Sequence, residues 1–224
     1  MTNSSSFSRR RPASALLICN GEPPPRALAR RLASKARLVV AADGGANNAR
    51  RQGIRPDVII GDLDSIKPAA RKFFSSSRII QVTRQDNTDL EKALDYMNAR
   101  KVPAVLLLGA TGKRMDFTFA NLSVPWKYTP GMRIIIVGDG WFAVPVVSRM
   151  TIPARVGTTV SLIPFGPCSG ITLKGLEYPL TEASMRVGDI GVSNVVIRSP
   201  FTVTVRKGKM LVFVMCPYGH PLFS

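Results

Sequence analysis

The chain has 224 residues, 45% of them hydrophobic and 20% charged. That balance excludes intrinsic disorder and fibrous repeats, and the length suffices for one large domain or two smaller ones. Thirty-one basic residues against 14 acidic ones give a formal net charge of +17, which brings nucleic acids, anionic membranes and small polyanions into consideration. The one histidine, His220, makes a His-rich zinc site or a Ser-His-Asp triad a poor fit.

Residues 1–12 read as a disordered tail of Ser and Arg. Ser8-Arg9-Arg10-Arg11 ahead of Ala13–Cys19 faintly resembles a twin-arginine signal, yet the apolar stretch stops at once in Asn20-Gly21-Glu22-Pro23-Pro24-Pro25, so it reads as a first strand. No apolar window is long enough to span a membrane, and a cytoplasmic location is expected. Cys19, Cys168 and Cys216 are far apart and odd in number, as buried thiols of a reducing compartment would be. Short apolar runs then alternate with helical patterns: strands are expected at Ala15–Cys19, Leu38–Ala42, Val58–Ile60, Arg78–Val82, Val105–Leu108 and Arg133–Val137. Leu28, Leu32 and Ala36 mark one helical face; Leu90, Leu94 and Met97 mark another, behind a cap at Asn87-Thr88. After Gly138-Asp139-Gly140 the helical period disappears and β-branched runs broken by Gly and Pro take over. Phe201–Arg206 and Lys209–Cys216 around Lys207-Gly208 read as a hairpin. The expectation is an α/β fold with a mostly parallel sheet and flanking helices over 13–139, followed by an all-β sandwich over 140–224.

The chemistry lies in where the aspartates fall. Asp43, Asp62, Asp64, Asp86, Asp89 and Asp116 follow four of the expected parallel strands, whose C-terminal ends form the ligand-binding edge of an open α/β sheet. Carboxylates converging at that edge repel by roughly 4 kcal/mol per pair at ~4 Å. A divalent cation relieves this, and an all-oxygen donor set points to Mg²⁺. Gly44-Gly45 allows close backbone approach ahead of a helix over 46–52, whose free N–H groups suit a phosphate. Lys92 and the loop Gly109-Ala110-Thr111-Gly112-Lys113-Arg114 supply cations, although the loop is not a Walker A motif. The many N-terminal arginines carry no interleaved aromatic residues, so a solvated basic face is preferred to a polynucleotide site.

Asp43-Gly44-Gly45-Ala46-Asn47, Pro56-Asp57 with Gly61-Asp62-Leu63-Asp64-Ser65, Gln85-Asp86-Asn87-Thr88-Asp89-Leu90-Glu91-Lys92, and Gly112-Lys113-Arg114-Met115-Asp116 with Ala120-Asn121 resemble, in order and spacing, the thiamine pyrophosphokinase family. The likeness continues through Ser161–Pro164, Lys174–Leu180 and Gly191-Val192-Ser193-Asn194. It implies transfer of a pyrophosphoryl group from ATP to thiamine, giving thiamine diphosphate and AMP, by a homodimer whose sites are shared between subunits. By resemblance, Asp62, Asp64 and Asp89 hold Mg²⁺, and Asp43, Asp64 and Asp89 form the catalytic set, with the proton acceptor left open between Asp43 and Asp64. Gly44, Gly45, Asn47, Lys92, Arg114 and Asp116 bind ATP; Gln85, Ser193 and Asn194 bind thiamine, the last two from the partner subunit. Phe117 and Val195 depart from the family pattern, which often has His and Glu there. Trp126 and Trp141 fall outside the motifs and read as packing residues. The alternatives are a pyrophosphokinase of another hydroxymethylated heterocycle, such as a pterin, and a basic nucleic-acid-binding protein.

Overall fold

In this computed structural model residues 5–6, 14–84 and 86–216 are described. The chain divides into two compact units, one over Pro12–Asp139 and one over Gly140–Ser224 with Met1–Arg11. In chain order, β1 (Ser5–Ser6) precedes β2 (Ser14–Ile18), α1 (Arg26–Lys35), β3 (Leu38–Ala42), α2 (Gly45–Gln52), β4 (Val58–Gly61), α3 (Pro68–Phe73), β5 (Arg78–Gln81), α4 (Asp89–Ala99), β6 (Ala104–Leu108), α5 (Met115–Ser123) and β7 (Arg133–Val137). The expected strands all form, with ends shifted by at most one residue.

Strands β7-β6-β2-β3-β4-β5 lie side by side in that order, and all five pairings are parallel. Strands covered on both faces must be apolar throughout, and Leu16, Leu17, Val40, Ala41, Ile59, Val105 and Leu107 are fully buried. At the edge, β5 is largely exposed. The helices obey the same burial logic. Leu28 and Leu32 of α1 are buried, and the chain turns extended at Ala36. Leu90, Leu94 and Met97 of α4 are buried. Thr88 caps α4 by accepting from Glu91 N while the Glu91 carboxylate accepts from Thr88 N, a reciprocal capping box.

The strand order has a consequence for function. From β2 the chain steps outward through β3, β4 and β5, then returns to the other side of β2 to lay down β6 and β7. Order therefore reverses between β2 and β6, and the loops leaving these two strands part to leave a crevice at their C-terminal ends.

The second unit continues with β8 (Trp141–Val146), β9 (Arg149–Ile152), β10 (Thr159–Pro164), β11 (Cys168–Lys174), β12 (Ala183–Met185), β13 (Asn194–Val195), β14 (Phe201–Thr204) and β15 (Met210–Met215). One antiparallel set runs β13-β10-β15-β8. The other runs β9-β14-β11-β12, with β1 parallel to β9. Phe142, Val160, Val212, Val214, Ile171, Phe201 and Val203 are buried in these sheets. The hairpin expected at Lys207-Gly208 is not formed. Strand β14 pairs with β9 and β11, whereas β15 pairs with β8 and β10. The turn carries the chain from one sheet to the other, because two alternating apolar strands around a glycine satisfy an arch between sheets as well as a hairpin within one. A Cβ on Gly208 would stand 2.5 Å from Pro167 O, so the arch needs glycine.

Cys19, Cys168 and Cys216 are free and buried. Burial, with the charge of Asp89 adding to it, pushes the Cys19 thiol up to about 12, which leaves it an inert packing group. Trp126 is buried, and Trp141 packs on Phe213 with ring centroids 5.4 Å apart. His220 and most of the tail over 1–12 lie outside the described residues.

Candidate active site

At the end of β3, Asp43 adopts a left-handed conformation with φ 41°, an uncommon posture for a residue with a side chain. Leu63 and Lys113 are also left-handed, at φ 72° and 60°. Three loops at the same sheet edge thus each hold a non-glycine residue in a costly backbone region, as functional sites often do. The glycines nearby serve a different purpose. A Cβ on Gly45 would lie 2.0 Å from Ile18 O, and one on Gly61 would lie 2.6 Å from Asp43 Cβ and 3.1 Å from Asp89 Oδ1. Gly45 lets α2 press against the end of β2. Gly61 lets Asp43 and Asp89 come together.

Asp43, Asp62 and Asp64 each place a carboxylate oxygen within 4.8 Å of the others. Asp64 N donates to Asp62 Oδ1 at 3.3 Å and Ser65 Oγ donates to Asp64 Oδ1 at 2.8 Å, which shapes the loop after β4. Asp89, at the start of α4, accepts from Lys92 Nζ at 2.9 Å, and the same ammonium lies 3.9 Å from Asp62 Oδ2. Lys92 is only 3% exposed. Asp43 is equally buried, and its Oδ1 has no hydrogen-bond partner among the described residues. Burial pushes its carboxyl above the usual range, and the charges of Asp89 and Asp62 act in the same direction.

Asp43, Asp62, Asp64 and Asp89 thus gather at one edge with a single buried ammonium, Lys92, beside two of them, which leaves an excess of negative charge. Hard oxygen donors and a partnerless buried carboxylate oxygen fit Mg²⁺. The compact triad is Asp43, Asp62 and Asp64, with Asp89 beside it and bound to Lys92.

A cavity of about 250 Å³ opens here. Asp43, Gly44, Ser65, Asp89, Asn20, Lys113 and Arg114 are among its lining, and Leu90, Ala110 and Phe117 give it apolar wall. It therefore sits at the switch point between β2 and β6. Arg114 Nε donates to Asp116 Oδ1 at 3.1 Å, and its guanidinium stands 4.3 Å from the centre of the Phe117 ring. Asp116 thus holds Arg114 at the cavity wall, where an aromatic platform and a cation meet.

Several expected site residues have their polar groups engaged within the fold. Asn47 Nδ2 donates to Ser65 O at 2.8 Å and its Oδ1 accepts from Lys67 N at 3.0 Å, so its amide clamps the aspartate loop to α2. The first N–H groups of α2 are not all free: Ala46 N bonds to Asp43 O and Asn47 N to Gly44 O. Asp86 is turned to the surface, its carboxylate 3.5 Å from Arg84. In the second unit, Ser193 is exposed and left-handed. Asn194 is buried instead, with Nδ2 donating to Tyr178 O at 2.8 Å and Oδ1 accepting from Tyr178 N at 3.0 Å. Its amide holds the fold together. Gln85 lies outside the described residues.

Sequence reasoning missed Asn20 and Asn48. Asn48 is fully buried and donates to Cys19 O at 2.6 Å and Gly21 O at 2.8 Å, fixing the loop after β2. Asn20 lines the cavity and accepts from Lys113 Nζ through its carbonyl. A second asparagine after Asn47 was the only signal for Asn48, and nothing in the sequence pointed to Asn20.

Residues 29–136 match the family model described as thiamin pyrophosphokinase, catalytic domain, and residues 149–210 match thiamin pyrophosphokinase, vitamin B1 binding domain. Thiamine pyrophosphokinase 3 of Oryza sativa subsp. japonica is 31% identical over 93% of this chain and 88% of its own. The chain belongs to the thiamine pyrophosphokinase family. A bacterial member, from Bacillus subtilis, is 26% identical over 78% of this chain and 85% of its own. Among solved structures, yeast thiamin pyrophosphokinase shares the fold at a TM-score of 0.82 and 18% identity, covering 96% of this chain and 92% of its own. The enzyme from Geobacillus thermodenitrificans does so at 0.78 and 25%, covering 92% and 99%. Family membership gives the chain a pyrophosphotransferase class and does not favour the nucleic-acid or pterin alternatives. Among the described residues, no helix is long and apolar enough to cross a membrane.

Proposed function

We infer that the chain transfers the terminal pyrophosphoryl group of ATP to the hydroxyl of thiamine. The thiamine oxygen attacks the β-phosphorus, the bond between that phosphorus and the oxygen bridging to the α-phosphorus breaks, and AMP leaves with the bridging oxygen. The observation that carries this reading is an aspartate cluster at the switch point of a chain whose two units match the two family models in order. Mg²⁺, when bound by Asp43, Asp62 and Asp64 with Asp89 alongside, supplies neutralisation of phosphate charge. Lys92, buried and paired with Asp89, is by family resemblance a phosphate ligand next to that carboxylate. Arg114, steadied by Asp116, faces the same cavity, and Phe117 offers a stacking surface for a flat base. The hydroxyl proton passes to a carboxylate of this cluster, Asp43 or Asp64, both of which stand at the same edge.

The homodimer, the sharing of its sites, and the thiamine contacts of Gln85 and Ser193 rest on family resemblance. The cytoplasmic location rests on resemblance and on the free cysteines. The test is to incubate the protein with ATP, Mg²⁺ and a panel of hydroxylated heterocycles including thiamine and a hydroxymethylpterin. Thiamine diphosphate and AMP in equal amounts are expected, with Asp64→Asn lowering turnover at least a hundredfold. ADP as product, or turnover confined to another heterocycle, would overturn the reading.

A further inference from the structure

Beside the aspartate cavity lies a second concavity of about 200 Å³, lined by Asn20, Asn47, Arg50, Arg51, Lys67 and Lys113. It shares Asn20 and Lys113 with the first cavity, so the two adjoin. Four of its six lining residues are cations, and among the described residues none of the four forms an ion pair with a carboxylate. This contrasts with the rest of the site, where Lys92 and Arg114 are both paired with aspartates.

Two of the cations, Lys113 and Arg51, are also held in place by hydrogen bonds that their charged groups donate. Lys113 is left-handed and its Nζ donates to the carbonyl of Asn20 and, at 3.3 Å, to Asn20 Oδ1. Arg51 donates to the buried Asn48. Lys67 is fixed at its backbone N–H by Asn47. Burial, and then the positive charge of Arg51 and Lys67, lower the proton affinity of the Lys113 ammonium, while Glu22 acts the other way. Like charges gathered in a concave space repel, and a bound anion converts that repulsion into attraction. The volume equals that of six or seven waters at ~30 Å³ each, room for a phosphate group.

We propose that this basic pocket is a phosphate subsite that receives the terminal phosphate of the bound nucleoside triphosphate, and so selects triphosphate over mono- and diphosphate. The proposal rests on the reading of ATP as the donor in the adjoining cavity. A triphosphate anchored on the aspartate side can extend past Asn20 and Lys113 into the pocket, where Arg50 and Lys67 meet its last phosphate. Because that phosphate becomes the distal phosphate of the product, the same cations hold it before and after transfer.

The test uses Arg50→Gln with Lys67→Gln, which leaves the Arg51–Asn48 bond and the Lys113 anchor intact, and a charge-retaining control, Arg50→Lys with Lys67→Arg. Calorimetric titrations with Mg²⁺ and without thiamine compare ATP, ADP and AMP. In the Gln variant the Kd for ATP is expected to rise tenfold or more, about 1.4 kcal/mol, while that for AMP changes less than twofold; the control retains ATP affinity. Inorganic phosphate is expected to compete with ATP and to bind alongside AMP. An unchanged ATP affinity, or equal losses for ATP and AMP, would overturn the proposal. Phosphate that binds together with ATP would also overturn it, since the pocket would then serve a free anion. Binding without thiamine keeps this outcome separate from the identity of the acceptor: failure to form thiamine diphosphate would sink the proposed function while leaving the ATP-over-AMP difference to be read on its own.

Discussion

Lys92→Met replaces the one buried ammonium among the site carboxylates with an apolar chain of similar length. At an effective dielectric of about 20, the contacts at 2.9 Å to Asp89 and 3.9 Å to Asp62 are attractions of about 6 and about 4 kcal/mol before any desolvation cost. Burying the lysine offsets much of this, and breaking such a pair by removing one partner typically costs 3–5 kcal/mol. Asp89 and Asp62 keep 32% and 20% of their side-chain exposure, so water softens their loss, and about 2–4 kcal/mol is expected. With a urea slope of ~2 kcal/mol per molar, the midpoint of the α/β unit should fall by about 1–2 M in EDTA. Mg²⁺ should narrow the gap: the variant site is more negative, binds the cation more tightly, and gains up to ~2.7 kcal/mol at a hundredfold excess over Kd. Urea titrations of both proteins in EDTA and in Mg²⁺ read these effects. Equal midpoints in EDTA, or a gap that Mg²⁺ leaves unchanged, would refute the account of Lys92 as the internal counter-ion of a metal-binding cluster.

Four further outcomes are expected. Gly45→Ala should destabilise by ~3 kcal/mol or more in urea titration, because its Cβ meets the backbone at Ile18 O, whereas Gly44→Ala meets the movable Asn20 side chain and should cost about half as much. Asp43→Asn should end turnover yet raise the melting temperature at neutral pH in EDTA. The folded state holds the Asp43 proton more tightly than the unfolded state, so wild-type stability rises as pH falls through the raised pKa, and the advantage of Asn should vanish below ~4; Asn also tolerates the left-handed backbone. Glu91 runs the opposite way: burial pushes it up, but Lys127 and Thr88 hold its pKa below the ordinary value, so its contribution is present above ~4.3 and is lost as pH falls through the folded value. Glu91→Gln should be less stable than wild type at pH 7 and equal to it in acid, by thermal melts across that range. Finally, mixing Asp64→Asn with Ser193→Tyr chains should restore activity after subunit exchange, if Ser193 serves the partner's site; exchange without recovery would place each site within one chain.

The α/β half was legible because its signals are local. Runs such as Leu38–Ala42 and Ala104–Leu108 read as central parallel strands, Thr88 with Glu91 fits a capping box, and aspartates directly after parallel strands lie on one edge. What sequence could not give was lateral order. That β6 returns to the far side of β2, opening the crevice beside Asn20 and Lys113, depends on pairing between distant segments and leaves no local mark. For the same reason the Lys207-Gly208 turn read as a hairpin, since choice of sheet is decided by partners contributed from β9, β11, β8 and β10. Side-chain direction was equally hidden. Asn194 and Asn47 carry the polarity of ligand-binding residues, but Asn194 spends its amide on the Tyr178 backbone and Asn47 on the backbone of Ser65 and Lys67. The residue types needed for the chemistry were thus set by sequence, while tertiary structure chose which of them face a ligand, because that choice depends on which buried polar groups find partners within the fold.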